Sequence, residues 1–212
     1  MKTKAHTRYY NKEGTWLVGV TTVVGLEAKP FLVGWANNLG LEGVDCRKYK
    51  DEMADIGSCA HLIIQHKFKD GELNLDDYTP NQVEQAKVCV SKFDDWHKNN
   101  QFEVILCEPE GGLVSEKYQF GGTPDIYCDL RGKKTLVDFK TGGIYDSAFT
   151  QVSAYKQLLE ENGYPVEEIK ILKISRSEKE TFDERRVYST ELHWNKFLNL
   201  LEIYNINKKL KV

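Results

Sequence analysis

The chain has 212 residues, of which 41% are hydrophobic and 11% aromatic, so it is long and apolar enough to fold around a substantial core and is not disordered. Its formal net charge of −3 provides no overall attraction for nucleic acid, although a local basic groove can bind nucleic acid on an acidic protein. No apolar run is long enough to span a membrane and the first six residues lack a signal-peptide pattern, which together predict a cytoplasmic protein without a membrane partner.

The chain shows no linker, repeat or low-complexity tract, which predicts a single domain over residues 1–212. Within that domain, residues 1–100 are expected to be mainly helical. Residues 101–212 are expected to form a sheet with flanking helices.

The amino-terminal segment begins with a predicted hairpin. Residues 9–25 indicate a short hairpin followed by an extended or helical start. A helix that begins near Pro30 is then expected to pack Phe31, Leu32 and Trp35 on the core.

Two longer helices follow. Apolar residues recur at helical spacing over residues 50–69, which predicts an amphipathic helix. A second helix is predicted from about Pro80 to Asn99, because Thr79 can act as its N-cap and Gln82 occupies the capping-box position. We interpret this second helix as scaffold.

Strands are predicted next, over residues 102–107 and 112–118. The turn between them contains Glu108 and Glu110, which flank a proline. Both glutamates are interpreted as facing solvent.

The most informative stretch contains Asp125, Asp138 and Lys140. Asp138 and Lys140 are two residues apart in an otherwise apolar strand, so their side chains share one face. A turn at residues 131–134 predicts a hairpin with the preceding apolar run. That hairpin would bring Asp125 beside Asp138, with Lys140 close by.

This combination of groups favours metal-assisted chemistry on phosphate. Two adjacent carboxylates repel each other and each costs free energy to desolvate. A hard divalent cation such as Mg²⁺ removes the conflict, since it takes carboxylate, phosphate and water oxygens as ligands. A lysine beside them stays cationic and can orient the attacking water or stabilise the charge of a phosphoryl transition state. The pattern therefore suits hydrolysis of a phosphodiester.

A helix is predicted after this strand, capped by Asp146 or Ser147. Gln151 and Tyr155 are four residues apart on it and share one face. They are placed to orient Lys140 or to contact a nucleic-acid phosphate. The alternative is an amphipathic helix whose tyrosine is only half-buried.

The last predicted strands are residues 169–174 and their partner, residues 182–188. Arg176 lies in the turn between them, and Arg185 and Arg186 are adjacent on the second strand, so that one points to each face. These arginines are candidates for contact with a DNA backbone, a partner that the family resemblance given below implies. Exposed salt bridges are the alternative for each of them.

Four short patterns together resemble a known nuclease family. In chain order they are Gly57…His61, Pro124-Asp125, Asp138-Phe139-Lys140 and Gln151…Tyr155. The second and third resemble the PD-(D/E)xK nuclease signature, and the fourth is similar to the QxxxY motif of its RecB-like branch. The first resembles the GxxxH pattern of that branch. The resemblance implies a restriction-endonuclease-like α/β fold, with an αβββαβ core, a mixed central sheet flanked by helices, and an N-terminal helical extension.

The resemblance also implies roles for individual residues. The implied metal ligands are His61, Asp125, Asp138 and the backbone carbonyl of Phe139. The implied catalytic residues are the two aspartates, Lys140, which would activate water, and Gln151 and Tyr155, which would orient Lys140 and the substrate. Glu116 precedes Asp125 by a short turn; it is either a further metal ligand or an exposed edge glutamate. A structural role is the alternative for His61. For the helix with Phe31, Leu32 and Trp35, the alternative to packing on the core is a role in guiding single-stranded DNA, because aromatic faces stack on bases.

The implied cofactor is Mg²⁺, with Mn²⁺ as a substitute because imidazole is a softer ligand than Mg²⁺ prefers. Several RecB-like relatives hold an iron–sulfur cluster through cysteines that follow QxxxY. Here the five cysteines end at Cys128 and none forms a CxxC pair, so we expect no cluster, no disulfide framework and no structural zinc. The thiols are expected to be reduced.

The implied function is that of the short phage and mitochondrial exonucleases of this branch: a metal-dependent DNA exonuclease acting on single strands or duplex ends in repair, recombination or replication. The implied location is the cytoplasm, or the host cytoplasm for a phage protein. Two alternatives stay open. One is a structure-specific endonuclease with the same site, and the other is a DNA-binding or recombination-accessory module without turnover.

Overall fold

The computed structural model describes residues 7–69, 71–109 and 111–210, which form a mixed α/β protein. The expectations for the first six residues and for Glu110 lie outside the described residues. Within the described chain there are six helices, and nine strands in two mixed sheets. The helices are α1 Val20–Val24, α2 Phe31–Leu41, α3 Cys46–His66, α4 Pro80–Asn100, α5 Asp146–Glu161 and α6 Glu191–Leu210. The strands are β1 Tyr9–Tyr10, β2 Trp16–Gly19, β3 Phe102–Cys107, β4 Leu113–Ser115, β5 Phe120–Gly122, β6 Ile126–Leu130, β7 Lys133–Lys140, β8 Glu168–Lys173 and β9 Asp183–Arg186.

The smaller sheet has the strand order β1-β2-β5-β4. Its β1–β2 pair confirms the predicted amino-terminal hairpin. The strand predicted over residues 112–118 is shorter than expected, and β5 was not predicted at all. Two of the three β5 residues are glycines, which carry no hydrophobic pattern. Gly121 lies beneath Tyr9, whose ring carbon Cγ would be 2.2 Å from a Cβ at that position, so a side chain there has no room.

The larger sheet has the strand order β3-β6-β7-β8-β9 and confirms the predicted β6–β7 hairpin. Its two-residue turn places Arg131 at φ 55° and Gly132 at φ 79°, which matches a tight hairpin turn. Ile126 pairs with Val137, so the preceding residue, Asp125, reaches the level of Asp138. The parallel β7–β8 pair is joined by α5, as parallel neighbours require a crossover.

A hydrophobic cluster covers each face of the larger sheet. On one face α3 and α4 pack against residues such as Val137 and Phe139. On the other face α5 and α6 pack against residues such as Leu136 and Ile171. Because side chains alternate along β7, Asp138 and Lys140 point to the α5 side. The sheet thus separates α5 from α3 at the end where the polar residues lie.

The predicted helices are confirmed for α3 and for α4, whose capping box joins Thr79 and Gln82 as expected. The expected cap of α5 was wrong. Its N-cap is Tyr145, which makes no side-chain capping hydrogen bond, and Asp146 is already inside the first turn. None of the helices in the described part of the chain combines the length and the hydrophobicity needed to cross a bilayer.

The prediction that the helix with Phe31, Leu32 and Trp35 packs on the core was wrong. All residues of α2 are described and none of them is buried; Phe31 and Leu32 are exposed. The sequence of α2 is apolar around much of its circumference, so its pattern could not show which face, if any, would be covered. Its ring contacts are to neighbouring surface groups, Phe31 on Tyr145 and Trp35 on Tyr49.

Candidate functional site

Asp125 and Asp138 lie at the same end of the β6–β7 hairpin and are almost fully buried, with 7% and 1% of their surfaces exposed. Asp125 precedes β6, and its Oδ2 accepts a hydrogen bond of 2.7 Å from the backbone N–H of Phe139. That bond ties Asp125 to the neighbouring strand at the residue next to Asp138. The structure therefore brings together the two carboxylates that the sequence pattern paired.

Lys140 connects this pair to α5. Its Nζ lies 2.6 Å from Asp138 Oδ2 and donates a hydrogen bond of 3.1 Å to Gln151 Oε1. The amide Nε2 of Gln151 in turn donates to the Tyr155 hydroxyl at 2.9 Å. Gln151 and Tyr155 are one helical turn apart on α5, which is why both face the end of β7. Four of the predicted catalytic residues thus form one continuous polar chain.

His61 reaches the site from α3, on the opposite face of the sheet. Its Nδ1 is 3.1 Å from Asp125 Oδ1, and its ring meets the Phe139 ring edge-on at 5.7 Å between centroids. Gly57 lies one turn earlier, where a Cβ would come within 2.8 Å of Thr141 Oγ1. The GxxxH spacing therefore has a physical basis: the glycine lets α3 approach the loop after β7, and the histidine then reaches Asp125.

Glu108 also lies in this site. The prediction that Glu108 faces solvent was wrong. One ligand atom each from Glu108, His61 and Asp125 lies within 4.8 Å of the others. Glu108 follows β3, and Cys107 at the end of β3 pairs with Ile126, so the next residue lands beside Asp125. The Glu108 N–H also donates to the Asp125 carbonyl at 3.2 Å. The strand pairing, which the sequence alone did not provide, was the missing information.

Burial and crowding shift the pKa values of the carboxylates in opposite directions. Burial raises the pKa of Asp138 to about 6; Lys140 opposes the shift and the charge of Asp125 adds to it. Burial and Asp125 also raise the pKa of Glu108. Burial alone would raise the pKa of Asp125, but His61 and the other donors outweigh burial and the pKa is lowered. Asp125 is therefore the carboxylate that is ionised most readily in the absence of a metal.

The two other titratable groups of the site respond to the same charges. Burial would lower the pKa of His61, but the adjacent Asp125 carboxylate outweighs burial and the pKa is raised. Burial, together with Asp138 and Asp125, raises the pKa of Tyr155 well above its usual value. The Tyr155 hydroxyl is consequently neutral over the physiological range of pH.

The residues fit a divalent cation. Asp138 Oδ2 is buried and pairs with Lys140 Nζ at 2.6 Å, and burial together with the charge of Asp125 still raises its pKa. Carboxylate oxygens with one imidazole nitrogen suit Mg²⁺ or Mn²⁺. The close group of His61, Glu108 and Asp125 could hold such an ion, and Asp138 lies next to that group. The Phe139 carbonyl as a ligand stays a prediction.

A cleft of about 520 Å³ opens beside these residues. His61 and Glu108 line it together with Thr141 and Arg176. Arg176 follows β8, and its Nη1 lies 3.4 Å from both the Met53 carbonyl and Thr141 Oγ1. Of the three predicted DNA-contacting arginines, Arg176 is the one that the structure places at the site.

The remaining candidates are placed elsewhere. Glu116 Oε1 accepts a hydrogen bond of 2.9 Å from the Lys12 N–H, and Glu116 lines a separate surface pocket. Arg185 pairs with Asp183 at 3.0 Å on the edge strand β9. Arg186 pairs with Glu168 at 2.8 Å. The structure does not bring Glu116, Arg185 or Arg186 to the carboxylate group.

The chain was compared with models of protein families and with curated proteins. No family model matches it, and no curated protein matches it either. These comparisons therefore assign the chain to no family.

Proposed function

We propose that this protein is a divalent-metal-dependent deoxyribonuclease of the RecB-like branch of the PD-(D/E)xK superfamily. The observation that carries the proposal is the convergence of Asp125, Asp138 and Lys140 at one sheet end, with Gln151 and Tyr155 hydrogen-bonded behind the lysine. The order α4, β3, β6, β7, α5, β8 through the larger sheet supports the αβββαβ core that the motifs imply.

The metal would be Mg²⁺, with Mn²⁺ as a substitute. Its ligands would be His61, Asp125, Asp138 and the Phe139 carbonyl, to which the geometry adds Glu108. A bound divalent ion supplies Lewis-acid polarisation of a phosphate oxygen and neutralises developing negative charge. The raised pKa values of Asp138 and Glu108 support this assignment, because burial disfavours both charged forms, the charge of Asp125 adds to the shift, and a bound cation would offset both effects.

Lys140 is the group that acts on water and phosphate. Its ammonium is fixed from two sides, by the Asp138 carboxylate and by Gln151 Oε1. A cation held in this way can position an attacking water for in-line displacement and stabilise charge on the phosphoryl oxygens.

Gln151 and Tyr155 set the direction of that cation. Because the Tyr155 hydroxyl accepts from Gln151 Nε2, the amide oxygen is turned toward Lys140. Tyr155 is buried and its pKa is raised, so it remains neutral and acts as a positioning residue and not as an acid. Arg176 in the cleft is suited to a phosphate of the strand, since a guanidinium binds phosphate with charge-assisted hydrogen bonds.

The substrate is DNA, cut as an exonuclease from single strands or duplex ends, in repair, recombination or replication. The test is digestion of linear and circular single-stranded DNA by the purified protein with Mg²⁺, with Mn²⁺ and with EDTA. Linear DNA is expected to be degraded in either metal and circular DNA to stay whole. Cutting of the circle would indicate the endonuclease. Metal binding without any cleavage would indicate the accessory module.

The chain offers a matched control for the catalytic residues. Asp138→Ala and Lys140→Ala are expected to abolish cleavage. Asp129 and Lys134 form another aspartate–lysine pair, 2.9 Å apart on the same β6–β7 hairpin but near its turn. Asp129→Ala and Lys134→Ala should leave cleavage intact. Full activity of either catalytic variant refutes the proposal.

A further inference from the structure

The loop of residues 141–145 joins the catalytic strand to α5, and it holds an exposed aromatic pair. Tyr145 ends the loop and is 53% exposed. Its ring folds back over the loop and lies so close to Gly143 that a Cβ added there would be 2.9 Å from Tyr145 Cζ. The ring of Phe31, which is 51% exposed, stacks on it with 5.2 Å between centroids and 22° between planes. Two rings are thus kept parallel and accessible beside the site.

Phe31 comes from α2, the helix that buries none of its residues. Residues 31–41 contain no charged side chain, and Leu32, Val33 and Leu41 are exposed. Contiguous exposed apolar surface of this kind marks an interaction site more often than it marks ordinary surface. The contacts of α2 with the rest of the described chain leave all of its residues at least partly exposed, so an external occupant is the physical explanation to test.

Arg176 lies on the other side of the same loop. A Cβ at Gly142 would be 3.8 Å from Arg176 Nη2. The two positions meet because β7 and β8 are parallel, so the loops after their carboxyl ends are neighbours. Within five residues of Lys140, the loop therefore has a guanidinium on one side and a ring stack on the other.

We propose that the 141–145 loop, Arg176 and the Phe31–Tyr145 pair form a subsite for the unpaired nucleotides of single-stranded DNA next to the bond that is cut. The proposal rests on the proposed function and adds to it the residues that select unpaired strands. The guanidinium contacts a phosphate and the rings stack on bases. Bases in a duplex are already stacked on each other, so a ring platform favours unpaired strands. An apolar protein segment would contact α2 alone, whereas a nucleotide strand uses both the rings and the adjacent guanidinium.

The test is binding of a fluorescein-labelled oligothymidine of about 16 nucleotides, measured by anisotropy in EDTA so that nothing is cleaved. Phe31→Ala and Tyr145→Ala are each expected to weaken binding by roughly 5- to 150-fold, the equivalent of one base–aromatic stack. Tyr145→Phe, which keeps the ring, should bind normally. Gly143→Ala should weaken binding without removing any ring, because the new methyl group displaces the Tyr145 ring.

An abasic strand of the same length separates stacking from every other effect. It presents the phosphates without bases, so the natural protein and the two alanine variants should bind it equally. Tyr188→Ala is the control, since Tyr188 is an exposed ring beside Arg186 but follows β9 at the opposite end of the sheet from Lys140. It should change nothing. Circular dichroism of each variant checks that it is folded.

Three results would overturn the inference: no loss on oligothymidine, an equal loss on the abasic strand, or the conversion of a dimer to a monomer by Phe31→Ala in gel filtration. The last result would assign α2 to a second copy of the chain. Failure of this inference is distinct from failure of the proposed function. Cleavage in Mg²⁺ together with normal binding by the ring variants rejects the subsite alone. Base-dependent loss of binding in a protein that cleaves nothing rejects the nuclease alone.

Discussion

Replacing Asp138 with asparagine is expected to stabilise the metal-free protein and to abolish the proposed nuclease activity. Asparagine has nearly the same shape as a protonated aspartate but never ionises. The buried carboxylate of Asp138 is 1% exposed and has its pKa raised from 3.8 to about 6. A shift of roughly two pH units corresponds to about 3 kcal/mol at 1.36 kcal/mol per unit. The effect of Lys140 is already included, since the lysine opposes the shift without overcoming burial.

The dependence on pH follows from the direction of the shift. Because the pKa of Asp138 is higher in the folded state, folding is favoured most when the group is protonated, and this contribution is lost as the pH rises through about 6. The natural protein and Asp138→Asn should therefore have similar stability near pH 4. Above about pH 7 the variant should be more stable by up to roughly 3 kcal/mol.

The assay is urea unfolding of both proteins in EDTA across this pH range, followed by the same measurement with Mn²⁺. The metal should stabilise the natural protein more than the variant, since an ion that binds only the folded state adds about 2.7 kcal/mol at a hundred times its dissociation constant. Asp129→Asn is the control of opposite sign. Lys134 and the Gly132 N–H lower the pKa of Asp129, so the loss of their interactions with the ionised carboxylate should destabilise the protein. An Asp138→Asn variant that is no more stable than the natural protein at neutral pH in EDTA would refute the reasoning.

Three further predictions concern the surroundings of the carboxylates. Gly57→Ala places a methyl group 2.8 Å from Thr141 Oγ1, so it should lower the unfolding free energy by about 1–3 kcal/mol and reduce kcat/KM for the proposed cleavage. Gly34→Ala is the control: Gly34 lies in open space on α2, and the change should stabilise the protein by about 0.5–1 kcal/mol. Glu108→Gln should weaken Mn²⁺ binding measured by calorimetry, whereas Glu116→Gln, in its separate pocket, should not. Equal Mn²⁺ affinities for the natural protein and both variants would show that Glu108 is not a metal ligand. Mn²⁺ should raise the melting temperature of the natural protein in a concentration-dependent way, and no shift at saturating metal would contradict a metal site.

The hairpin half of the site could be predicted because its information is local. Alternation along one strand places Asp138 and Lys140 on the same face, and a two-residue turn fixes their register against Asp125. Helical spacing likewise places Gln151 and Tyr155 on one face of α5. Each of these placements depends on residues that are close in the sequence, so a periodic pattern was sufficient.

The parts that were missed depend on contacts between distant segments. Glu108 lies in the site because β3 pairs with β6, and the local sequence around the proline turn does not predict that pairing. β5 was not predicted because glycines carry no hydrophobic pattern, and the packing of Tyr9 over Gly121, which leaves no room for a side chain there, is a contact between distant segments. The surface position of α2 could not be inferred either, since an apolar helix that interacts with something outside the chain has the same composition as one in the core.

The two aspartates differ in how far the fold itself compensates their ionised forms. Asp125 receives a hydrogen bond from the Phe139 N–H and lies against His61, so its ionised form is compensated by the fold itself. Asp138 pairs with Lys140 Nζ at 2.6 Å, yet burial and the charge of Asp125 raise its pKa, so its ionised form is disfavoured. A divalent cation next to Asp138 would favour the ionised form. In the proposed nuclease, Asp138 is therefore the carboxylate whose ionised form depends more on a bound metal.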